Sequence, residues 1–324
     1  MKKICIVGYG AIAASHAKAL VSAQNAEFYA VCDINPERIA ICQKDYDVIG
    51  YTDFQDVLKD SNIDGVHICT PHYLHYEMVS AALQAGKTVI CEKPVTLTRE
   101  QFDTLMQLPQ KDNLGLVFQN RLKPCVQALK KLISGGSLGK VTNCKAILTW
   151  SRGKDYYASG EWRGKWATEG GGVLINQAIH TLDLLCYLVG EVGALSATMT
   201  NFSLRDVIEV EDTFNAYLKY KEGTTAIFFA TNAYGKSGAI DFEFVFENGV
   251  ANYAGGKLYV NGECVCEDVV ATGEKAYWGT THGELICNFY DRGVYFKLED
   301  VQNTMYTMFA MYESAKNNGK AMEI

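Results

Sequence analysis

Residues 88–94, TVICEKP, form an apolar run that ends on two charged side chains and a proline. Charged residues are rarely buried unless paired, so Glu92 and Lys93 at the tip of a strand-like run need a reason. An ammonium held there can bind a hydroxyl oxygen and stabilise negative charge developing on it. The alternative is a structural ion pair at a strand end. A second group with chemistry lies in residues 169–191, EGGGVLINQAIHTLDLLCYLVGE, where three glycines open what reads as one long helix. Asn176, His180 and Asp183 follow i, i+4, i+7 spacing and share one stripe of that helix. A polar stripe on an apolar helix faces something polar or closes an internal hydrogen-bond network. Histidine is the side chain whose ordinary pKa suits proton transfer near neutrality.

The elements that must position these groups begin at the N-terminus. Strand-like runs occur at 3–8, 28–33, 65–70, 88–92 and 114–119, with helical patterns at 12–24, 36–46, 73–85 and 98–107. Strands alternating with helices imply βαβ units, and strands apolar on both faces imply helices on both sides. The expected fold class is therefore α/β, a doubly wound parallel sheet, with ligands bound beyond the carboxyl ends of its strands.

The first run enters Gly8-Tyr-Gly10-Ala-Ile-Ala13. Gly8 makes the tight turn, Gly10 allows backbone to approach a pyrophosphate, and Ala13 is small enough for helix–strand packing. Ala11 and Ile12 lie where the helix N-terminus offers N–H groups to phosphate. Asp33 closes the second run at the place of an adenosine-ribose acceptor, which favours NAD over NADP. Asp33 equally suits a turn or a cap for the helix beginning at Pro36, and Arg38 is near enough to tolerate a phosphate. Thr70-Pro71-His72 ends the third run and turns the chain over the crevice. His75 reads as a packing or hydrogen-bonding group near the cofactor, and His67, inside a run, as a satisfied core histidine. No histidine pair has HExxH spacing, so no metal is expected.

Net charge is −7 over 324 residues with no basic run, which argues against nucleic acid as a partner. The 11 cysteines are odd in number and include no CxxC pair, so neither a disulfide framework nor a zinc knuckle is indicated, and a reducing cytoplasm fits. The start, MKKICIVGYGAIAA, mimics a secretory leader, but Gly8 and Gly10 break its apolar run. No uncharged apolar stretch reaches the ~18 residues of a membrane span.

Between residues 194 and 270 the pattern becomes alternating strands with Lys-Glu-Gly and Glu-Asn-Gly turns, an antiparallel sheet. Cys264 and Cys266 sit on one face of such a strand. FFATNAY suggests an apolar outer face, hence a homodimer or homotetramer. Helices are expected at 284–290 and 300–317, finishing this domain. The expected division is a dinucleotide-binding domain at 1–121 and an α+β domain at 122–324.

Taken together, GYGAIAASH, CTPHYLHYEMVSAALQAGKTVICEKP and GGGVLINQAIHTLDLLCYLVGE resemble the Gfo/Idh/MocA family, NAD(P)-dependent sugar and inositol oxidoreductases. The resemblance spans nearly the whole chain. It implies a Rossmann domain followed by an α+β domain with a large open, mostly antiparallel sheet often used for oligomerisation. It also implies that Lys93 reaches the nicotinamide, with Glu92 partnering it or facing the cofactor, and that His180 takes the hydroxyl proton as hydride leaves the same carbon. Many members carry aspartate where Asn176 stands; asparagine can orient substrate but accept no proton, which puts an inositol substrate in question. The resemblance sets Trp162 and Arg163 beside the nicotinamide and His282 in an element that meets the substrate, with Asn120 and Arg121 reaching the same region, Asn120 at the cofactor and Arg121 at the substrate. The loop 150–172 before the helix, rich in aromatic and basic residues, suits sugar, and Tyr156 and Tyr157 in it read either as substrate-pocket residues or as ordinary surface tyrosines.

The expected activity is hydride transfer between NAD and a secondary carbon of a sugar or polyol. Two rivals stand beside it. A glycosidase using NAD for transient oxidation would release sugar without net NADH. A ligand-sensing regulator would bind without turnover, although it has no need of a proton-handling pair.

Overall fold

The computed structural model describes residues 1–269 and 281–324, which divide into two compact units: 1–119 with 281–300, and 120–269 with 301–324. In the first, strands β1 (Lys2–Val7), β2 (Ala26–Cys32), β3 (Ile49–Tyr51), β4 (Gly65–Ile68), β5 (Thr88–Cys91) and β6 (Leu114–Leu116) pair in parallel in the order β3-β2-β1-β4-β5-β6. Helices α1 (Ala13–Ser22), α2 (Pro36–Asp45), α3 (Phe54–Lys59), α4 (His75–Gln84) and α5 (Arg99–Gln107) connect them. Ile4, Cys5, Ile6 and Val7 of β1 and all four residues of β4 are buried, as strands covered on both faces must be. Each such aliphatic side chain contributes about 1.5–3 kcal/mol by leaving water. The leader-like start thus builds a central strand. The order reverses between β1 and β4, and ligands of doubly wound sheets bind at such a switch point. Strand β3 has no counterpart in the sequence reading; it is three residues long and mostly exposed, too short to show a period.

The second unit holds α6 (Pro124–Gly135), β7 (Val141–Thr149), α7 (Lys154–Ala158), α8 (Val173–Asn176), α9 (Ile179–Val189), β8 (Val192–Thr200), β9 (Thr213–Tyr220), β10 (Thr225–Thr231), β11 (Asp241–Phe246), β12 (Gly249–Ala254), β13 (Lys257–Val260) and β14 (Glu263–Glu267). The chain then enters α10 (Thr281–Cys287) and a π-helical turn at Asn288–Arg292, and closes with α11 (Leu298–Lys316) and β15 (Met322–Glu323). Nine strands form one sheet in the order β14-β13-β12-β11-β7-β10-β9-β8-β15, antiparallel except for β7 against β10. On β9, Phe214, Ala216, Leu218 and Tyr220 point inward while Asn215, Tyr217 and Lys219 point out. Tyr217 lies opposite Ile227, and both are more than half exposed. Cys264 and Cys266 lie on β14, as a strand reading requires, and the cysteines are free thiols.

The division at 121/122 is corrected in two respects. The boundary falls after Gln119, and α10 with the turn that follows belongs to the first unit. Asp291 accepts the backbone N–H groups of Gln24 and Asn25, Phe296 bridges Leu116, and a Cβ on Gly115 would fall 2.8 Å from the Phe289 ring. Those partners lie more than 150 residues earlier, beyond the reach of any local pattern.

Candidate functional site

In the first unit, Gly8 has φ +85°, and a Cβ there would lie 2.9 Å from the Cys69 carbonyl oxygen, so only glycine fits. Nothing lies within 4 Å of where a Gly10 Cβ would point, an open cradle over the turn. Ala11 is exposed, Ile12 half-buried, and Ala13 fully buried as the third small position of the motif. Asp33 accepts the N–H groups of Tyr9 (2.8 Å) and Asn35 (2.9 Å), with the Arg38 guanidinium 3.5 Å away. Its carboxylate thus ties the glycine turn to the end of β2. Helix α2 is capped by Asn35, which accepts the Glu37 N–H, so the capping role considered for Asp33 falls to its neighbour.

Thr70 and Pro71 are half-buried, and His72 opens a short 3-10 turn. His75, almost fully buried, lies between two carbonyls, with Nδ1 2.7 Å from Pro94 O and Nε2 2.8 Å from Thr70 O. It staples the turns that follow β4 and β5, as the packing reading expects. Burial lowers its pKa against the pull of those two carbonyls.

Lys93 is half-buried and precedes a cis peptide to Pro94. Glu92 is buried among imidazoles: Oε1 is 3.1 Å from His16 Nε2 and 3.4 Å from His282 Nε2, and Oε2 accepts the Lys93 N–H at 3.3 Å. Burial alone would raise its pKa, yet the bonds and charge of His16 and His282 hold it well below the carboxylate range. An ionised carboxylate only accepts, so both Nε2 atoms carry protons. His16 Nδ1 meets His67 Nδ1 at 2.9 Å, and His67 Nε2 meets the Tyr290 hydroxyl at 2.8 Å. His67 is thus a satisfied core histidine, and burial pushes its pKa down. Two readings change: Glu92 serves imidazoles as well as the Lys93 backbone, and His282 turns Nε2 to Glu92 where a substrate contact was expected. His16, inside GYGAIAASH, went unread because a lone histidine on an apolar helix carries no signal of its partner.

In the second unit the expected long helix is two. Ala178 N–H bonds Val173 O at 2.8 Å, a five-residue step that closes α8 before α9 begins. Gly172 is required at the start, since a Cβ would meet Glu211 O at 1.9 Å. The supposed stripe therefore splits. Asp183 is fully buried and takes Arg121 bidentately, Nε at 2.9 Å and Nη2 at 2.6 Å, with Thr304 donating at 2.8 Å. Arg121 also lies over the Tyr187 ring. The pair is structural, which corrects the substrate reading of Arg121; Asn120 beside it is buried.

Asn176 and His180 are both half-buried. Asn176 Nδ2 donates to Glu169 Oε1 and to the Tyr156 hydroxyl (3.3 Å). Tyr157 packs in a core with Ile208 and Val210 while its hydroxyl accepts from Asn232; Tyr156, the other tyrosine considered for the substrate, is half-buried. Arg163 lies over the rings of Trp162 (4.8 Å) and Tyr156 (4.9 Å) and donates to Ser159. Glu211 accepts from Gly172 N, Leu174 N and the Tyr312 hydroxyl, and burial pushes its carboxyl up to about 7. Glu169 escaped the sequence reading because an acid beside glycines reads as a turn residue, and Glu211 because an acid next to Asp212 at a strand start reads as a solvated charge. No group of three or more metal-ligating side chains occurs among the described residues, and no described helix is long and apolar enough to cross a membrane.

Residues 2–119 match the family model described as oxidoreductase family, NAD-binding Rossmann fold, and residues 126–252 match the GFO/IDH/MocA C-terminal domain. The chain is 27% identical over 238 residues to levoglucosan dehydrogenase of Pseudarthrobacter phenanthrenivorans, covering 66% of this chain and 61% of that protein. It is 31% identical over 209 residues to D-glucoside 3-dehydrogenase of Escherichia coli, covering 62% and 57%. The chain thus spans about three fifths of these relatives' length. WlbA dehydrogenase from Bordetella pertussis, solved with NADH and UDP-GlcNAcA, matches over 100% of this chain and 99% of its own, with a TM-score of 0.87 at 25% identity.

Proposed function

The chain belongs to the Gfo/Idh/MocA oxidoreductase family, with an NAD-binding Rossmann fold at its N-terminus, and from that premise we propose that it moves hydride between NAD and a secondary hydroxyl or keto carbon of a sugar or polyol. The observation that carries this reading is the carboxyl edge of the first sheet. There the open turn at Gly10, the buried Asp33 carboxylate and Lys93 on its Glu92-anchored backbone follow β1, β2 and β5.

These residues fit the cofactor. Gly8, Gly10, Ala11 and Ile12 would hold the pyrophosphate and Asp33 the adenosine ribose, a negative group that disfavours a 2′-phosphate and so favours NAD over NADP. Arg38 flanks that end. Thr70, Pro71, His72 and Lys93 would line the nicotinamide end, with His75 and Glu92, engaged by the Thr70 and Pro94 carbonyls and by the imidazoles, holding those turns from behind; Asn120, Trp162 and Arg163 are the second unit's candidates for contact with the cofactor. Bound NAD supplies the two-electron acceptor.

His180 and Lys93 are the groups assigned to the hydroxyl proton as the carbinol carbon is oxidised, the imidazole as acceptor and the ammonium by stabilising charge that develops on oxygen. Asn176 orients the substrate; having no proton to exchange, it leaves proton transfer to His180 and Lys93. We also place the protein in the cytoplasm, on its free thiols, and assign the outer sheet face around Tyr217 and Ile227 to self-association.

Incubation with NAD across a panel of sugars and polyols tests the activity by absorbance at 340 nm; silence across a broad panel would count against it. His180→Ala is expected to lower kcat by about 100-fold or more while leaving NAD affinity within about twofold of the parent.

A further inference from the structure

We propose that Cys125 and Cys266 are a reversible redox pair, oxidised by a low-molecular-weight disulfide to a bond that ties the start of α6 to the edge strand β14. The pair does not depend on the hydride-transfer reading.

Three segments converge there. The Asp268 N–H donates to Gly256 O at 2.7 Å, which carries the pairing of β13 with β14 one step beyond the strand. The Cys125 thiol donates to the same carbonyl at 3.5 Å, and the Cys125 N–H donates to Asp268 Oδ1 at 2.9 Å. The second Asp268 oxygen accepts the Tyr253 hydroxyl at 2.6 Å. Cys125 is thus pinned beside residue 268 by both its backbone and its side chain. Residues two apart on an extended chain face the same side, and Cys266 and Asp268 are both half-buried while Glu267 between them is exposed. That face brings the Cys266 thiol within hydrogen-bonding reach of the Cys125 thiol.

The roles divide by exposure. Cys125 is fully buried, and burial, then the Asp268 charge, push its thiol up. Such a thiol is inert toward solutes. Cys266 is half-buried, and of the two it is the one a solute can meet. Its thiolate attacks one sulfur of the small disulfide, forming a mixed disulfide and releasing one small thiolate. Cys125 then loses its proton and attacks the Cys266 sulfur; the Cys125–Cys266 bond forms and the second small thiolate leaves. The protein thiols give up two electrons and two protons, and the small disulfide is reduced to two thiols. Proximity rather than acidity drives the second step. Lys123 lies within electrostatic reach of Cys125 and Asp268, and burial lowers its pKa, so its amine can receive the Cys125 proton. A reducing compartment holds such a pair as thiols, the form both cysteines have here, and disulfides formed there are typically transient and redox-sensing.

Oxidised glutathione is the probe. The reduced full-length chain is incubated with it, the remaining thiols are alkylated, and the peptides are mapped by mass. The parent should yield a crosslink joining Cys125 to Cys266 that dithiothreitol removes. Cys264, exposed on the same strand with its thiol toward Glu267 Oε1 at 3.8 Å, is the internal control: Cys264→Ser should give the same crosslink. Cys125→Ala should stop at a glutathione adduct on Cys266. Cys266→Ser, a change at a half-buried position that spares the core, should leave Cys125 unmodified. The bond closes a loop over most of the second unit, so the oxidised parent should melt about 5 °C above the reduced one. A glutathione adduct that persists on Cys266 of the parent, a crosslink through a different cysteine, or thiols left unmodified would each overturn the pair. So would an oxidised parent that melts at or below the reduced one, since the fold would then resist the bond.

Discussion

Glu92 in the first unit and Glu211 in the second are both buried carboxylates, 7% and 2% exposed, and their pKa values move in opposite directions. Burial raises both. Around Glu92 the partners are His16 and His282, whose rings can carry positive charge, and the carboxylate stays ionised far below its ordinary range. Around Glu211 the partners are two backbone N–H groups and a phenol, neutral dipoles that only partly offset burial, and it rises to about 7. The difference teaches that the charge of a buried acid is set by whether its partners can be cations. The first unit keeps a permanent anion behind the Lys93 backbone, whereas the second keeps a group that changes state near neutrality behind α8.

The largest effect should come from breaking the Glu92 cluster. Glu92→Ala leaves the His16 and His282 donors buried without their carboxylate and should cost about 3–5 kcal/mol in denaturant unfolding; Glu92→Gln, which retains an acceptor, should cost less. A parent-like midpoint for Glu92→Ala would show that the imidazoles find other partners.

Glu211 sharpens the contrast through pH. Its folded pKa lies above its unfolded value, so its contribution is full below about 4.5 and is lost as pH rises through about 7. Stability of Glu211→Gln relative to parent should therefore improve by on the order of 3 kcal/mol between mildly acidic and mildly alkaline conditions. Parallel curves for the two proteins would refute the elevated pKa.

His75 provides the smallest and opposite slope. Its folded pKa is depressed by burial, so its contribution is full above the ordinary histidine value near 6.5 and is lost as pH falls below it. Replacing it with glutamine should flatten that acid-side loss, at the expense of the staple between Thr70 and Pro94. An unchanged slope would assign the acid-side loss to other groups, with His67 the first candidate.

What could be read from sequence were features written within one or two turns of chain. Gly8, Gly10 and Asp33 stand where a strand–turn–helix unit needs them, and the alternation on β9 announces a sheet with one outer face. The readings that failed needed distant partners. Tyr156 and Tyr157 are neighbours of one residue type, and only the core around Ile208 and Val210 decides which is buried. Asn176, His180 and Asp183 have helical spacing, but a one-turn break sends Asp183 to Arg121 and Asn176 to Glu169.

By itself, then, the amino-acid order determined the two sheets, the glycine turn and the family, because hydrophobic period and turn chemistry act between near neighbours. Which acids are charged and which histidines are paired were decided by tertiary structure alone. Glu92 accepts hydrogen bonds from a residue 76 positions earlier and another nearly 200 later, and a proton's free energy depends on what is close in space, whatever its distance along the chain.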